Sequence, residues 1–270
     1  QYHCLINSIY NMSKYNADFA IDVFFETELH KFLIDMLFTD SDKLIYRSLA
    51  TFIKLGDINI DPNYQIPKIQ SNFEERIFSM AFQIDNLTSR QPKKYKESIR
   101  RLAFRALIYM MTENPYFQRY EGPTILFLMD VLFTNQHFPI LVDLFFDSSS
   151  AIKLEIVHFL SQFIISGSKI NGVPFIQYLL DNHVIEIFAD TLEMKDDVSI
   201  NLSITGLQVL LEECSKFGLL GVYENIISEF ISLDQIIEII DDSLINKEIR
   251  NNVTKFHAAL LKLPNESYKS

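Results

Sequence analysis

Seven basic side chains, Arg90, Lys93, Lys94, Lys96, Arg100, Arg101 and Arg105, crowd into sixteen residues of a chain whose formal charge is −11. Arg101 and Arg105 are four apart, so a helix would place both guanidiniums on one face. Forked guanidinium donors match carboxylate and phosphate oxygens, which makes an acidic or phosphorylated peptide the expected ligand. A solvated helix face is the alternative, and Lys93 to Lys96 alone would be that. The chemistry of catalysis has no comparable signal: the chain contains no P-loop, no G-x-G-x-x-G, no G-x-S-x-G and no H-E-x-x-H. His3, His30, His137, His183 and His257 show no spacing that would hold a metal.

These residues need elements to position them, and composition narrows the choice. A chain of 270 residues that is 48% hydrophobic has ample material for a core. Only 7 Gly and 8 Pro leave too few turns for an all-β or βαβ fold, so helix is expected. The acidic balance argues against nucleic acid, whose binders neutralise phosphates with Lys and Arg. Cys4 and Cys214 are too few for a disulfide scaffold, pointing to a reducing compartment. Charges interrupt every apolar run before it reaches the ~20 residues that span a bilayer. No signal peptide is recognisable, and a first residue of Gln1 rather than Met is what a piece of a longer protein would show.

The organisation is a repeated three-part pattern. An apolar run, PILVDLFF (139–146), precedes a polar break, DSSS, and a long amphipathic run from Ala151 to Gly167. After VPFIQYLL (173–180) the pattern restarts as VIEIFADTLE, a break at MKDD, and a long run closing on Gly218. Comparable long helices are expected at Lys43 to Gly56, Lys93 to Met111 and Lys247 to Leu263, with shorter ones at Asp18 to Phe25, Leu29 to Phe38, Phe73 to Ile84, Val222 to Phe230 and Leu233 to Ile240. Leu5, Ile9 and Met12 give the first segment a helical spacing. Asp42 is the expected N-cap of its helix, and Asp196-Asp197 and Asp241-Asp242 are expected to cap the two that follow them. Aligning the long helices places Leu49, Leu107, Leu160, Leu207 and Phe256 at one core position. The 23 Phe and 12 Tyr are expected between layers.

A unit of about 45 residues with one short and two longer helices has the period of armadillo and HEAT repeats. Three segments, EIVHFLSQFIISG (155–167), SINLSITGLQVLLEE (199–213) and NKEIRNNVTKF (246–256), resemble the armadillo repeats of importin alpha. That resemblance implies a concave groove into which each third helix presents a Trp and, four residues on, an Asn. The Trp positions here hold Arg47, Arg105, His158 and Thr205, and the Asn positions hold Thr51, Tyr109, Gln162 and Val209. The chain contains no Trp, so the array that reads basic nuclear-localisation signals is absent. His158 with Gln162 most resembles a peptide-holding rung, the alternative being a half-buried His against a neighbouring helix. Glu212 and Glu213 would make the late groove acidic where Arg47, Arg101 and Arg105 make the early groove basic.

The sequence thus predicts an all-α protein, an armadillo/HEAT-type right-handed α-solenoid of about five stacked three-helix repeats. One domain over 1–270 would comprise a partial repeat at 1–14, repeats at 15–56, 57–112, 113–167, 168–218 and 219–263, and a tail at 264–270. The expected function is a non-catalytic protein-interaction scaffold that holds a partner peptide or helix in its groove. The alternative is a divergent importin-alpha-like adaptor in nuclear protein import, which would need a basic arm ahead of the repeats. Neither a cofactor nor direct nucleic-acid binding nor membrane insertion is expected, and the location is cytoplasmic and/or nuclear.

Overall fold

A computed structural model describes residues 5–8, 11, 29–56, 73–82, 93–111, 124–135 and 137–263. Every regular element among these residues is helical. The helix expected at Asp18 to Phe25, Ile9, Met12, Arg90, the stretch after Gly56 and the 264–270 tail lie outside the described residues. The chain divides into two compact units, 1–130 and 131–270.

The first unit holds α1 (Leu29–Leu37), α2 (Asp42–Gly56), α3 (Phe73–Phe82), α4 (Lys93–Met111) and α5 (Thr124–Leu128). A π-helical turn at Met129–Thr134 follows α5, and the division falls within it. The long helices α2 and α4 pack on each other, with α1 against α2 and α3 against α4. Leu49 and Leu107 are fully buried at the matching positions that their spacing predicted. Aromatic rings join the pairs: Phe52 meets Phe73, and Phe82 meets Phe104, each at 5.4 Å between ring centres. Arg76 of α3 donates from Nε to the Leu37 carbonyl at 2.8 Å, satisfying one of the acceptors that the end of α1 leaves open. Two local expectations shift. Asp42 is the first residue of α2 rather than its cap, since the Leu44 and Ile45 amides donate to the Ser41 carbonyl. At the N-terminus Ile6 is buried and Leu5 exposed.

The second unit comprises α6 (Phe138–Phe146), α7 (Ser150–Asp181), α8 (Val184–Leu192), α9 (Asp197–Phe217), α10 (Leu220–Phe230), α11 (Leu233–Asp241) and α12 (Lys247–Leu260). Here α7 packs on α9 and α9 on α12, while α8 and α11 lie against α9 and α12 respectively. Leu160, Leu207 and Phe256 are fully buried, again as their spacing predicted.

The helix expected to close at Gly167 runs on instead, with Gly167 buried inside it. It breaks at Gly172, where φ is 41° and ψ −122°, two residues before Pro174. Proline supplies no amide and disfavours helical backbone at the residue before it, and only glycine reaches such a φ cheaply. A Cβ at Gly172 would lie 3.2 Å from the Phe217 ring.

That contact and a second one set the direction of packing. A Cβ on Gly206 of α9 would fall 2.9 Å from the Ser161 hydroxyl of α7 and 2.3 Å from the Phe188 ring of α8. Ser161 to Gly206 and Gly172 to Phe217 are both steps of 45 residues, so α7 and α9 run parallel and in register. The next pair is also parallel. The Asn246 amide donates to Asp197 Oδ1 at 3.1 Å near the two helix starts, and Gln208 Nε2 donates to the Asn252 carbonyl at 3.2 Å farther along.

Two buried hydroxyls are satisfied within their own helices, whereas those of Ser48 and Ser203 are buried without a partner among the described residues. Ser161 donates to Val157 O at 2.9 Å and Thr191 to Ile187 O at 2.8 Å. Asp196 caps α9 as expected, accepting from the Val198 and Ser199 amides at 3.0 and 3.1 Å. Asp241 and Asp242 do not cap α12: Asp241 ends α11, and Asp242 accepts from the Leu244 amide at 2.8 Å. Asn246 is the cap, accepting from the Glu248 amide at 2.8 Å, because the intervening turn occupies the residues that a direct cap would need. Gly218 closes α9 at φ 73°, as its sequence position predicted.

The glycines supply a paired test. Gly206→Ala should cost about 1–3 kcal/mol in urea unfolding, because its methyl must displace a buried ring. Gly221 in the first turn of α10 has open space around it, so Gly221→Ala should be neutral or stabilising by up to about 1 kcal/mol. A second test uses Asp196. Burial would raise its pKa, but hydrogen bonds from the Ser199 hydroxyl and from the Ser199 and Val198 amides outweigh that and hold it below the ordinary 3.8. A depressed folded value contributes stability above the unfolded pKa that is lost as pH falls through the folded one. Asp196→Ala should therefore cost about 0.5–2 kcal/mol near pH 7, a difference that closes in strong acid when urea midpoints are compared.

Candidate functional site

The first unit contains a cleft of about 430 Å³ that brings two of the sequence-predicted residues together. Arg47 and Thr51, one turn apart on α2, form one wall with Tyr46 and Ala50. The other wall is the N-terminal helical segment, from which Asn7 and Asn11, also four apart, face the cleft together with Ile6. Two i,i+4 pairs thus confront each other across an opening wide enough for several side chains.

Each wall has a local cause. Tyr46 is set by an edge-on contact with Tyr95 of α4, ring centres 6.2 Å apart. Ile6 is buried at 1% exposure and anchors the segment whose adjacent amide side chain, Asn7, is exposed. Thr51 is fully buried, and its hydroxyl donates to the Arg47 carbonyl at 2.8 Å. It therefore forms the floor without offering a donor to a ligand. The half-exposed Arg47 guanidinium brings five donors, and the two carboxamides bring both donors and acceptors. Such a set suits an oxyanion, with the amides left to engage a peptide backbone.

Asn7 and Asn11 were missed in the sequence reading, which followed the apolar spacing of the same segment. The signal was present as Asn-x-x-x-Asn, a pairing of amides on one helical face.

The remaining candidates lie elsewhere. Arg101, Arg105 and Tyr109 are on α4 and do not wall the cleft, and each makes a polar, ionic or ring contact within the protein. Arg105 is exposed, while Arg101 and Tyr109 are half-buried. In the second unit His158 is exposed on α7, and the Gln162 side chain donates to the Ser166 hydroxyl at 3.1 Å. Thr205 is exposed on α9 with its hydroxyl tied to the Asn201 carbonyl at 2.7 Å, and Val209 is half-buried. The positions aligned with His158 and Thr205 thus face outward on successive parallel helices.

Among the described residues no group of three or more His, Cys, Asp or Glu could hold a metal ion. No single helix among them is long and apolar enough to cross a membrane. Cys214 is buried, and burial together with the neighbouring Glu213 carboxylate pushes its thiol up to about 12. That favours the protonated, unreactive form over a nucleophilic thiolate.

No family model matches the chain, and no curated protein matches it. The fold and the cleft define an all-α protein with a cation-bearing groove.

The thiol gives a direct check. Cys214 should resist alkylation at about pH 8 in the folded protein and react readily in urea, as followed by mass spectrometry of its peptide. Labelling of the native protein at the denatured rate would contradict its burial.

Proposed function

We propose that this chain is a non-catalytic helical-repeat interaction protein of the armadillo type, which takes an acidic or phosphorylated peptide segment into the cleft beside Arg47. One observation carries the reading: Arg47 faces Asn7 and Asn11 across a cleft of about 430 Å³. A guanidinium there pairs with a carboxylate or phosphate, and flanking carboxamides hold the backbone of an extended segment. The parallel register of α7 with α9, and of α9 with α12, supports the repeat architecture, since stacked units that each contact their neighbours produce that arrangement. The burial of Leu49, Leu107, Leu160, Leu207 and Phe256 supports it also.

The test is a titration by fluorescence anisotropy of a Glu-rich peptide, its phosphoserine counterpart and a Lys-rich peptide. The acidic peptides should bind more tightly, and Arg47→Glu should weaken them by about tenfold or more, the scale of a charge-assisted hydrogen bond. Affinity should fall as salt is raised, because partly exposed charges are screened. Tighter binding of the Lys-rich peptide, or no effect of Arg47→Glu, would contradict the proposal.

A further inference from the structure

A second groove, in the other unit, has the opposite chemistry. It encloses about 450 Å³ where the α8–α9 turn meets α11 and the turn leading to α12. Its floor is aliphatic: Leu192, Ile200, Ile239 and Ile245 are all nearly or fully buried. Its rim is acidic, with Glu238, Asp241 and Asp242 at i, i+3 and i+4 along the end of α11 and Lys195, among the described residues, the one cation lining it. The C-terminal end of α11 adds the negative pole of its backbone to the same rim.

Apolar surface continues outside the floor. Ile237 on the wall is 41% exposed, and beside the groove Val198 is 58% and Leu244 92% exposed. The hydrogen bond from the Asn246 amide to Asp197 Oδ1, 3.1 Å, holds the turn that carries Leu244 against the helix start that carries Val198. A leucine held almost entirely in water on a structured turn marks a contact surface more readily than a core.

We infer that this groove is a docking site for an amphipathic segment of another protein that carries aliphatic anchors flanked by Lys or Arg. The anchors would cover Ile237, Val198 and Leu244 and reach the aliphatic floor, while the flanking cations would meet Glu238 and Asp241. Charge complementarity selects the sign of the partner, because among the described lining residues three carboxylates and a helix C-terminus outweigh Lys195. Lys195 Nζ stands 4.0 Å from Glu238 Oε2 with both side chains more than 70% exposed, so this pair is weak and an incoming cation can replace it. Asp242 is partly committed through its bond from the Leu244 amide, which leaves Glu238 and Asp241 as the main contacts.

The inference is independent of the cleft beside Arg47, and its test keeps the two apart. A labelled amphipathic helix of Leu and Lys is titrated against the whole chain, with a Leu and Glu helix of the same pattern as control. The Leu/Lys helix should bind, the Leu/Glu helix should bind at least about tenfold more weakly, and Glu238→Lys/Asp241→Lys should cost about tenfold. Leu244→Asp should weaken binding comparably, while Arg47→Glu should leave it unchanged. All three groove positions are exposed, and circular dichroism melts serve as the check that the variants fold. Equal binding of the two helices, or no effect of the groove substitutions, would overturn the inference. So would a sedimentation result in which the chain self-associates through this groove and Leu244→Asp abolishes the dimer.

Discussion

The close approach of α7, α8 and α9 at Gly206 is the constraint on which the second unit depends. With no side chain there, the Phe188 ring and the Ser161 hydroxyl come within distances that a methyl would forbid. The backbone of α9 can then lie against its two predecessors, which lets Leu160 and Leu207 share a dry layer. A residue larger than glycine would force the helices apart and open voids, and interiors packed like crystals tolerate neither. Farther along the same two helices, Gly172 and Phe217 repeat the step of 45 residues, so the register set at Gly206 persists to the end of α9.

Much of this was legible in the sequence because helix interiors announce themselves by period. The bounds expected for α4 and α9 agree with the observed ones to within a residue, and the five aligned core positions are all fully buried. Helix ends were harder. Gly167 looked like a terminus, yet glycine is tolerated inside a helix, and the break falls instead at Gly172, two residues before Pro174. Asp241 and Asp242 looked like caps, but cap identity depends on how many residues the turn consumes, and Asn246 took the role. No local pattern encodes that count.

The candidate sites were only half legible for a different reason. Arg47 and Thr51 were paired through the resemblance to armadillo repeats, and their spacing of four places them on one helical face. Which helix faces them depends on packing across the chain, and so the amides of Asn7 and Asn11 became visible only in the fold. Thr51 adds a further lesson, since its hydroxyl is consumed by its own helix, as those of Ser161 and Thr191 are. The groove rimmed by Glu238 and Asp241 was likewise hidden, because its floor is assembled from Leu192, Ile200, Ile239 and Ile245 on separate stretches. The two units thus differ in chemistry, with Arg47 and two carboxamides lining the cleft of one and carboxylates over an aliphatic floor lining the groove of the other.

We propose that the second unit is stabilised by nearest-neighbour contacts between parallel helices rather than by one indivisible core. Hydrogen exchange followed by mass spectrometry, comparing wild type with Leu160→Ala, addresses it most directly. That substitution removes about 2–5 kcal/mol from the α7 layer. Under nearest-neighbour stacking, protection should fall most in α7, less in α9, and least in α12, which lies beyond α9. Equal loss of protection in α7, α9 and α12 would contradict the account.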